Sequence, residues 1–184
     1  MFNFNRKRFT YREFKELLNS IVVLVDTREQ KIRHLTEVFD DTNINFQKQK
    51  LNFGDYSAKI PKNPELGIEE EINFKEIIAI ERKNGLEELS SNLCYEDERF
   101  INELKRAKKK KTDFWLLIEE GNGYKELVMN NYETDYQPKH FESYLLTLVN
   151  RYDVKPVFVS KRFSARFIYK LLYYKVKTYL ESKN

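Results

Sequence analysis

Apolar residues along the chain fall into two kinds of pattern, short continuous runs and stripes at helical spacing. Two of the continuous runs, IVVLVD at 21–26 and IIAIERK at 77–83, end in charged residues. A short run that is apolar on both faces is typical of a central strand buried on both sides of a sheet. Side chains alternate along a strand, so Glu81 and Lys83 share one face while Arg82 lies on the other. The sequence therefore predicts that Glu81 and Lys83 are neighbours at the end of a central strand.

Helices and strands alternate along the rest of the chain. Helical periodicity predicts several helices, the first one opened by a capping box of Thr10 and Glu13. The predicted helices cover about 11–19, 31–40, 95–109, 139–151 and 161–181, and the predicted strands cover 21–26, 45–51, 55–60, 68–74, 77–83, 113–120 and 155–160. With no repeat or linker, we expect a single α/β domain whose central mixed sheet is flanked by helices. It divides into a helical arm (1–20), a core (21–160) and a C-terminal helix (161–184).

Composition and charge narrow the class of protein. The chain has 184 residues, enough for a substantial core, and one cysteine, Cys94, which cannot form an internal disulfide. Its longest aliphatic run, IVVLV, is too short to span a bilayer. We therefore expect a soluble protein of the cytoplasm. The net charge is only +4, but KRAKKKK at 105–111 concentrates six cations in seven residues.

Three separated blocks place acids at strand ends. They are VDTRE at 25–29, GDY at 54–56 and IERK at 80–83. Any one of them has an ordinary explanation, since an acid that closes a strand commonly meets water and Gly-Asp commonly forms a turn. Ligands of α/β sheets bind at strand ends, and carboxylates beside a lysine are typical of a metal-dependent phosphodiesterase. The joint occurrence of the blocks favours this second interpretation.

The same blocks, in this order, carry a family resemblance. VDTRE, then GDY, a spacer, ERK and an acid four residues after the lysine resemble the nuclease domain of the XPF family of structure-specific endonucleases. The RF…EL…RAK segment at 99–108 and LLIE at 116–119 also match. The family has Asp at the final acid, where this chain has Glu87. The resemblance implies a restriction-endonuclease-like fold, and we expect the stand-alone type found in bacterial or phage-infected cells.

The resemblance implies a divalent metal, Mg²⁺ or Mn²⁺. Both ions prefer oxygen ligands, and Mg²⁺ keeps several waters, so two carboxylates suffice. We expect Asp55 and Glu81 to be the main ligands. Asp26 is expected to hold the metal or its water, and the backbone carbonyl of Arg82 to add a further ligand.

Four more residues are implied in catalysis. Lys83 fits two roles, orienting the attacking water or stabilising charge that develops on phosphate. We favour the electrostatic role, because a general base would need a pKa far below its ordinary value of about 10.4. Arg28 and Glu29 match family positions that support catalysis. Glu87 is expected in the first turn of the next helix.

DNA is the expected partner, in branched or flapped form. Lys108, Lys109, Lys110 and Lys111 fit two roles, contact with phosphates or cations that offset a helix dipole. Arg162, Arg166 and Lys170 form a basic stripe that fits either a DNA-binding face or a solvated one.

Phe163, Phe167, Leu171 and Tyr174 form an apolar stripe on the last helix, which Ile168, Leu172 and Tyr179 widen, and most of it is expected to be core. Because the resemblance implies dimerisation, we also expect a homodimer through the part that stays exposed. The competing hypothesis is a catalytically inactive DNA-binding scaffold with the same fold. A restriction enzyme shares fold and chemistry but would need a segment for base readout.

Overall fold

The fold comes from a computed structural model that describes residues 8–94, 98–133 and 137–183, with only the backbone of 92–94 and 138. Cys94, as a side chain, and residues 1–7 of the predicted arm lie outside the described part. The helices are α1 (Tyr11–Asn19), α2 (Arg33–Asp41), α3 (Leu86–Cys94), α4 (Glu98–Lys110), α5 (Tyr124–Met129), α6 (Pro138–Tyr152) and α7 (Ser164–Glu181). The strands are β1 (Val22–Val25), β2 (Phe46–Lys48), β3 (Tyr56–Ile60), β4 (Ile72–Asn73), β5 (Ile78–Lys83), β6 (Asp113–Ile118) and β7 (Lys155–Phe158).

These strands form one mixed sheet in the order β2-β1-β3-β5-β6-β7, with β4 paired to β3. Strand β3 is antiparallel to both β1 and β5, whereas β1 with β2 and β5 with β6 and β7 are parallel. Tyr56 of β3 lies opposite Val25 on one side and Ile80 on the other. Asp55, just before Tyr56, is therefore placed beside the ends of both neighbouring strands.

Helices cover both faces of the sheet and create two apolar cores. On one face Ile78 and Ile80 pack in a cluster with buried residues of α1, α2 and α7. On the other face Ala79 packs in a cluster with buried residues of α3, α4, α5 and α6. Because β5 is buried on both faces, its polar residues emerge only at its end, as its apolar pattern predicts.

Most predicted elements are present, with shorter strands. The capping box of α1 is confirmed, since Thr10 Oγ1 accepts the amide of Glu13 while the Glu13 carboxylate accepts the amide of Thr10. The strand expected at 68–74 is only the two-residue β4. Two helices were missed, α3 and the six-residue α5. The six-residue α5 is less than two turns long, too short for a helical period to reveal it, and Glu87 does lie in the first turn of α3, as expected.

The predicted apolar face of the last helix divides into a buried and an exposed part. Ile168, Leu172, Val176 and Leu180 are fully buried, whereas Phe163 and Tyr174 are 52% and 55% exposed. The aliphatic positions face the sheet, and the aromatic stripe lies beside them toward solvent. In the described part of the chain, no helix combines the length and apolar character needed to cross a membrane.

Candidate active site

A cleft of about 300 Å³ opens where β1 and β5 end and β3 begins, with α4 along one side. It is lined by Arg28, Glu29, Gly54, Asp55, Glu81, Arg82, Lys83, Glu88, Arg99, Phe100 and Glu103. The acidic blocks at 25–29, 54–56 and 80–83 therefore converge, as predicted from their positions at strand ends.

Gly54 brings the second block against β5. Its φ is +60°, and a Cβ atom there would lie 2.8 Å from the carbonyl oxygen of Ile80. Only glycine tolerates both the backbone conformation and this close approach. The approach lets the Asp55 amide donate to the Ile80 carbonyl at 2.8 Å, while the Asp55 carboxylate accepts the Arg82 amide at 2.8 Å.

The environment of Asp55 disfavours its negative charge. Burial raises its pKa well above the ordinary value, and the carboxylates of Glu81 and Glu29 raise it further. The Arg82 amide and the Lys83 cation offset only part of this effect. A site that concentrates carboxylates in this way is suited to a cation.

Glu81 and Lys83 are neighbours, as their alternation along β5 predicts. Lys83 Nζ donates to Glu81 Oε1 at 2.7 Å and lies 5.2 Å from the ring centre of Phe100. Burial lowers the pKa of Lys83, but the adjacent Glu81 carboxylate outweighs it, so that the pKa is raised overall. Lys83 is therefore held as a cation, which fits an electrostatic role and not that of a general base.

The side chain of Arg82 lies on the opposite side of β5 and is almost fully buried. Its guanidinium donates to Glu29 Oε1 and, at 2.8 Å, to Glu119 Oε2, and Glu119 Oε1 lies 2.8 Å from His34 Nε2. No role was predicted for His34 or Glu119, because residues so far apart along the chain give no local signal. This network fixes Glu29 at the edge of the cleft.

Asp26 lies behind the cleft and does not line it. Its Oδ1 accepts both the backbone amide and Nε of Arg28, at 2.9 and 2.7 Å, and its Oδ2 accepts the Leu51 amide at 2.7 Å. Burial raises the pKa of Asp26, but these hydrogen bonds lower it overall. In this geometry Asp26 orients Arg28 and the loop before β3, and its expected role in holding the metal or its water stays a prediction.

The acid that lines the cleft after the ERK block is Glu88 and not the predicted Glu87. Glu87 is exposed and outside the cleft lining, with its carboxylate folded back over Gly85, whereas Glu88 lines the cleft and accepts the Asn84 amide at 3.1 Å. Glu103 of α4 was also missed, although it lines the cleft and accepts the Gly54 amide at 2.5 Å. The helical spacing of Arg99 and Glu103, four residues apart, is the signal that places both on one face of α4.

Asp55 and Glu81 remain the predicted ligands of a divalent metal. Within the described residues, no three His, Cys, Asp or Glu side chains form a ready metal-binding group. Mg²⁺ nevertheless needs only one or two carboxylates and keeps its waters. Burial and then the Glu81 carboxylate raise the pKa of Asp55, so a cation beside both acids would reduce their repulsion. The Arg82 carbonyl as a further ligand stays a prediction.

The lysine run at the end of α4 is divided between two separate pockets. Lys109 and Lys110 line a groove beside the cleft, while Lys108 and Lys111 line a separate pocket. Lys108 also forms a salt bridge of 3.2 Å with Asp153. The four lysines therefore do not act as one surface.

The basic stripe on α7 is remote from the cleft lining. Arg162, Arg166 and Lys170 are exposed, and none lines the cleft. Arg162 lies 5.5 Å from the ring centre of Phe163, and Lys170 lies 5.5 Å from that of Tyr173. Their DNA-binding role stays a prediction.

Comparison with known proteins places this geometry in a family. A family model described as the ERCC4 domain matches residues 25–171. Among solved structures, XPF from Aeropyrum pernix matches with 15% identity and a TM-score of 0.60 over 88% of this chain and 68% of that one. XPF from Aeropyrum pernix in complex with DNA matches with 15% identity and a TM-score of 0.58 over 85% of this chain and 66% of that one. No curated protein matches by sequence. The chain thus spans about two thirds of those structures, and the predicted fold is confirmed.

Proposed function

The chain belongs to the ERCC4 domain family, and on this premise we propose that it is a DNA endonuclease that depends on Mg²⁺ or Mn²⁺. The proposed substrates are branched or flapped DNA formed in recombination, repair or replication. A similar structure was solved in complex with DNA, which supports nucleic acid as the partner. The convergence of Asp55, Glu81 and a protonated Lys83 in one cleft is the observation that carries the proposal.

Asp55 and Glu81 would hold the metal, which would neutralise phosphate charge and activate water when bound. Lys83, kept cationic by Glu81, stabilises the negative charge that grows on the phosphate oxygens during attack. The phosphodiester then breaks to leave a 5′-phosphate and a 3′-hydroxyl. Water supplies the attacking oxygen and the proton that the leaving oxygen takes up.

Neighbouring residues position this group. Arg82 donates its amide to Asp55 and its side chain to Glu29, so it fixes a carboxylate on each side of β5. Arg28, held by Asp26, presents a cation to the cleft. Glu88 lines the cleft where the resemblance assigns a role to Glu87, and we propose that Glu88 supplies the acid function there.

A cleavage assay tests the proposal. The purified protein is incubated with labelled duplex, 3′-flap, fork and four-way-junction DNA, in Mg²⁺, in Mn²⁺ and in chelator. Asp55→Asn and Glu81→Gln should abolish cleavage while DNA binding persists. The matched control is Asp113→Asn, which neutralises a half-buried acid at the other end of β6 and should still cut. Metal-independent binding without cleavage of any substrate would favour the inactive scaffold.

Metal binding has a readout of its own. A ligand that binds the folded state at 100 times its dissociation constant stabilises a protein by about 2.7 kcal/mol. Mn²⁺ should therefore raise the melting temperature of the wild type, and this rise should disappear in the Glu81→Gln variant. An equal rise in both proteins would remove Glu81 from the metal site.

We further propose a homodimer through the exposed aromatic side of α7. Phe163 and Tyr174 are both more than half exposed there. Light scattering on the wild type and on a Phe163→Ser, Tyr174→Ser variant tests this. A variant with the wild-type mass would place the contact elsewhere.

A further inference from the structure

A groove of about 480 Å³ adjoins the cleft, and Arg28 lines both. The groove runs between the loop before β3 and the second half of α4. It is lined by Arg28, Lys50, Leu51, Asn52, Phe53, Glu76, Arg106, Lys109 and Lys110. Among these described residues five are cations and Glu76 is the one acid.

Most of these cations are not neutralised by the protein. Lys110 forms a salt bridge of 3.3 Å with Glu76. Lys50, Arg106 and Lys109 are exposed, and in the part of the chain that the structure describes none of them makes a salt bridge. Lys50 comes from a different element than Arg106 and Lys109, so a helix dipole does not explain why they converge. Like charges gathered in one groove repel each other unless an anion lies between them.

Arg28 connects the groove to the proposed chemistry. Asp26 engages Nε of Arg28 at 2.7 Å, and the two Nη groups have no hydrogen-bond partner among the described residues. A guanidinium that is oriented on one side and free on the other is suited to bidentate contact with phosphate.

The spacing along α4 fits an extended anion. Arg99 and Glu103 line the cleft, and Arg106 and Lys110 line the groove, so these positions follow one face of the helix. The rise from Arg99 to Lys110 is about 16 Å. One strand of B-DNA carries a phosphate for every 3.4 Å or so of helix axis, so this length spans several phosphates.

We propose that this groove binds the sugar-phosphate backbone of the DNA strand that enters the cleft, through Lys50, Arg106 and Lys109, with Arg28 at the junction. The inference rests on the proposed function for the identity of the polyanion. It separates Lys109 from Lys108 and Lys111, which line a different pocket, where Asp153 forms a salt bridge with Lys108.

The test measures binding of fluorescein-labelled forked DNA by anisotropy, in chelator, over a series of NaCl concentrations. The groove variant carries Lys50→Gln, Arg106→Gln and Lys109→Gln. The matched control carries Lys15→Gln, Lys62→Gln and Lys125→Gln, three exposed cations outside the groove and the cleft, with the same change in net charge. A rescue variant carries Lys50→Arg, Arg106→Lys and Lys109→Arg.

In the groove variant, the slope of log K against log salt should be less steep by about 2 to 3, because each lost phosphate contact contributes about 0.9 to its magnitude. The control and the rescue variant should keep the wild-type slope. Equal slopes for the groove variant and the control would overturn the inference. Because the assay needs no metal and no cleavage, a protein that binds through the groove without cutting would sustain this inference while refuting the endonuclease.

Discussion

At the two ends of strands β5 and β6, two carboxylates have opposite electrostatic surroundings. At the starting end, the Asp113 carboxylate accepts hydrogen bonds from Lys155 Nζ at 2.5 Å and from Lys175 Nζ at 2.7 Å. At the finishing end, Asp55 faces Glu81 and Glu29, and a backbone amide is its direct hydrogen-bond donor. Burial raises the pKa of both acids, but the two lysines lower that of Asp113 overall, whereas the neighbouring acids keep that of Asp55 raised.

This difference separates stabilisation from function within one sheet. A carboxylate paired with two ammonium groups lowers the free energy of the folded state and has no charge left for a ligand. A carboxylate that is buried beside other carboxylates costs folding free energy and attracts a cation. The proposed metal ion would therefore be bound more favourably in the cleft than at the starting end.

The largest expected effect is the loss of cleavage when Lys83 is replaced, compared with replacement of Lys155 at the other end of the strands. Lys83→Met removes a cation beside the reacting phosphate while keeping an apolar stem against Phe100. We expect cleavage to fall by about 10²- to 10³-fold, with DNA affinity little changed. Single-turnover kinetics measure this, with Lys155→Met at the other end as the control. Equal losses in both variants would show that the two ends do not differ in function.

The second prediction concerns Arg82, which forms salt bridges with Glu29 and Glu119. Arg82→Gln leaves Glu29 and Glu119 without their cation, and the arginine side chain is only 3% exposed. Breaking such a pair costs about 3 to 5 kcal/mol of unfolding free energy. Urea denaturation at neutral pH measures it, with Arg33→Gln, whose pair with Glu37 is exposed, as a control near zero. A loss below about 1 kcal/mol would contradict the role of Arg82 as a structural centre.

Asp113 gives a smaller effect with a defined pH dependence. Asp113→Asn should lose about 1.5 kcal/mol of unfolding free energy at neutral pH, from two charge-assisted hydrogen bonds that are partly exposed. Its pKa is lowered in the fold, so the stabilisation is complete above the pKa of the unfolded chain and is lost as pH falls through the folded one. Denaturation at a series of pH values should therefore show wild type and variant converging in acid. A constant difference would refute the electrostatic origin.

The smallest effect has the opposite sign. Asp55→Asn removes a charge that is buried beside Glu81 and Glu29 while its amide oxygen can still accept the Arg82 amide. We expect a gain of about 0.5 to 1 kcal/mol in unfolding free energy, measured in chelator at neutral pH. A loss of unfolding free energy would mean that the charge of Asp55 stabilises the fold, as that of Asp113 does. The same variant should lose the stabilisation by Mn²⁺.

Prediction from the sequence succeeded where the signal is local. The alternation along β5 places Glu81 and Lys83 together, and the hydrogen bond between them confirms it. The apolar runs that end in charged residues identify β1 and β5 as strands whose ends lie at the same edge of the sheet. Glu88 was not predicted, because the resemblance selects the acid four residues after Lys83, which is Glu87, and only the tertiary structure places Glu88 in the cleft lining.

The sequence by itself determined the strands, their buried faces and the residues at their ends, because period and apolar character are properties of a few consecutive residues. Only the tertiary structure decided that β3 lies between β1 and β5, so that Asp55 meets Glu81 while Asp26 turns to Arg28 and Leu51. These pairings depend on contacts between residues distant along the chain. Burial of both sheet faces by helices selects among them, and no local pattern encodes that choice.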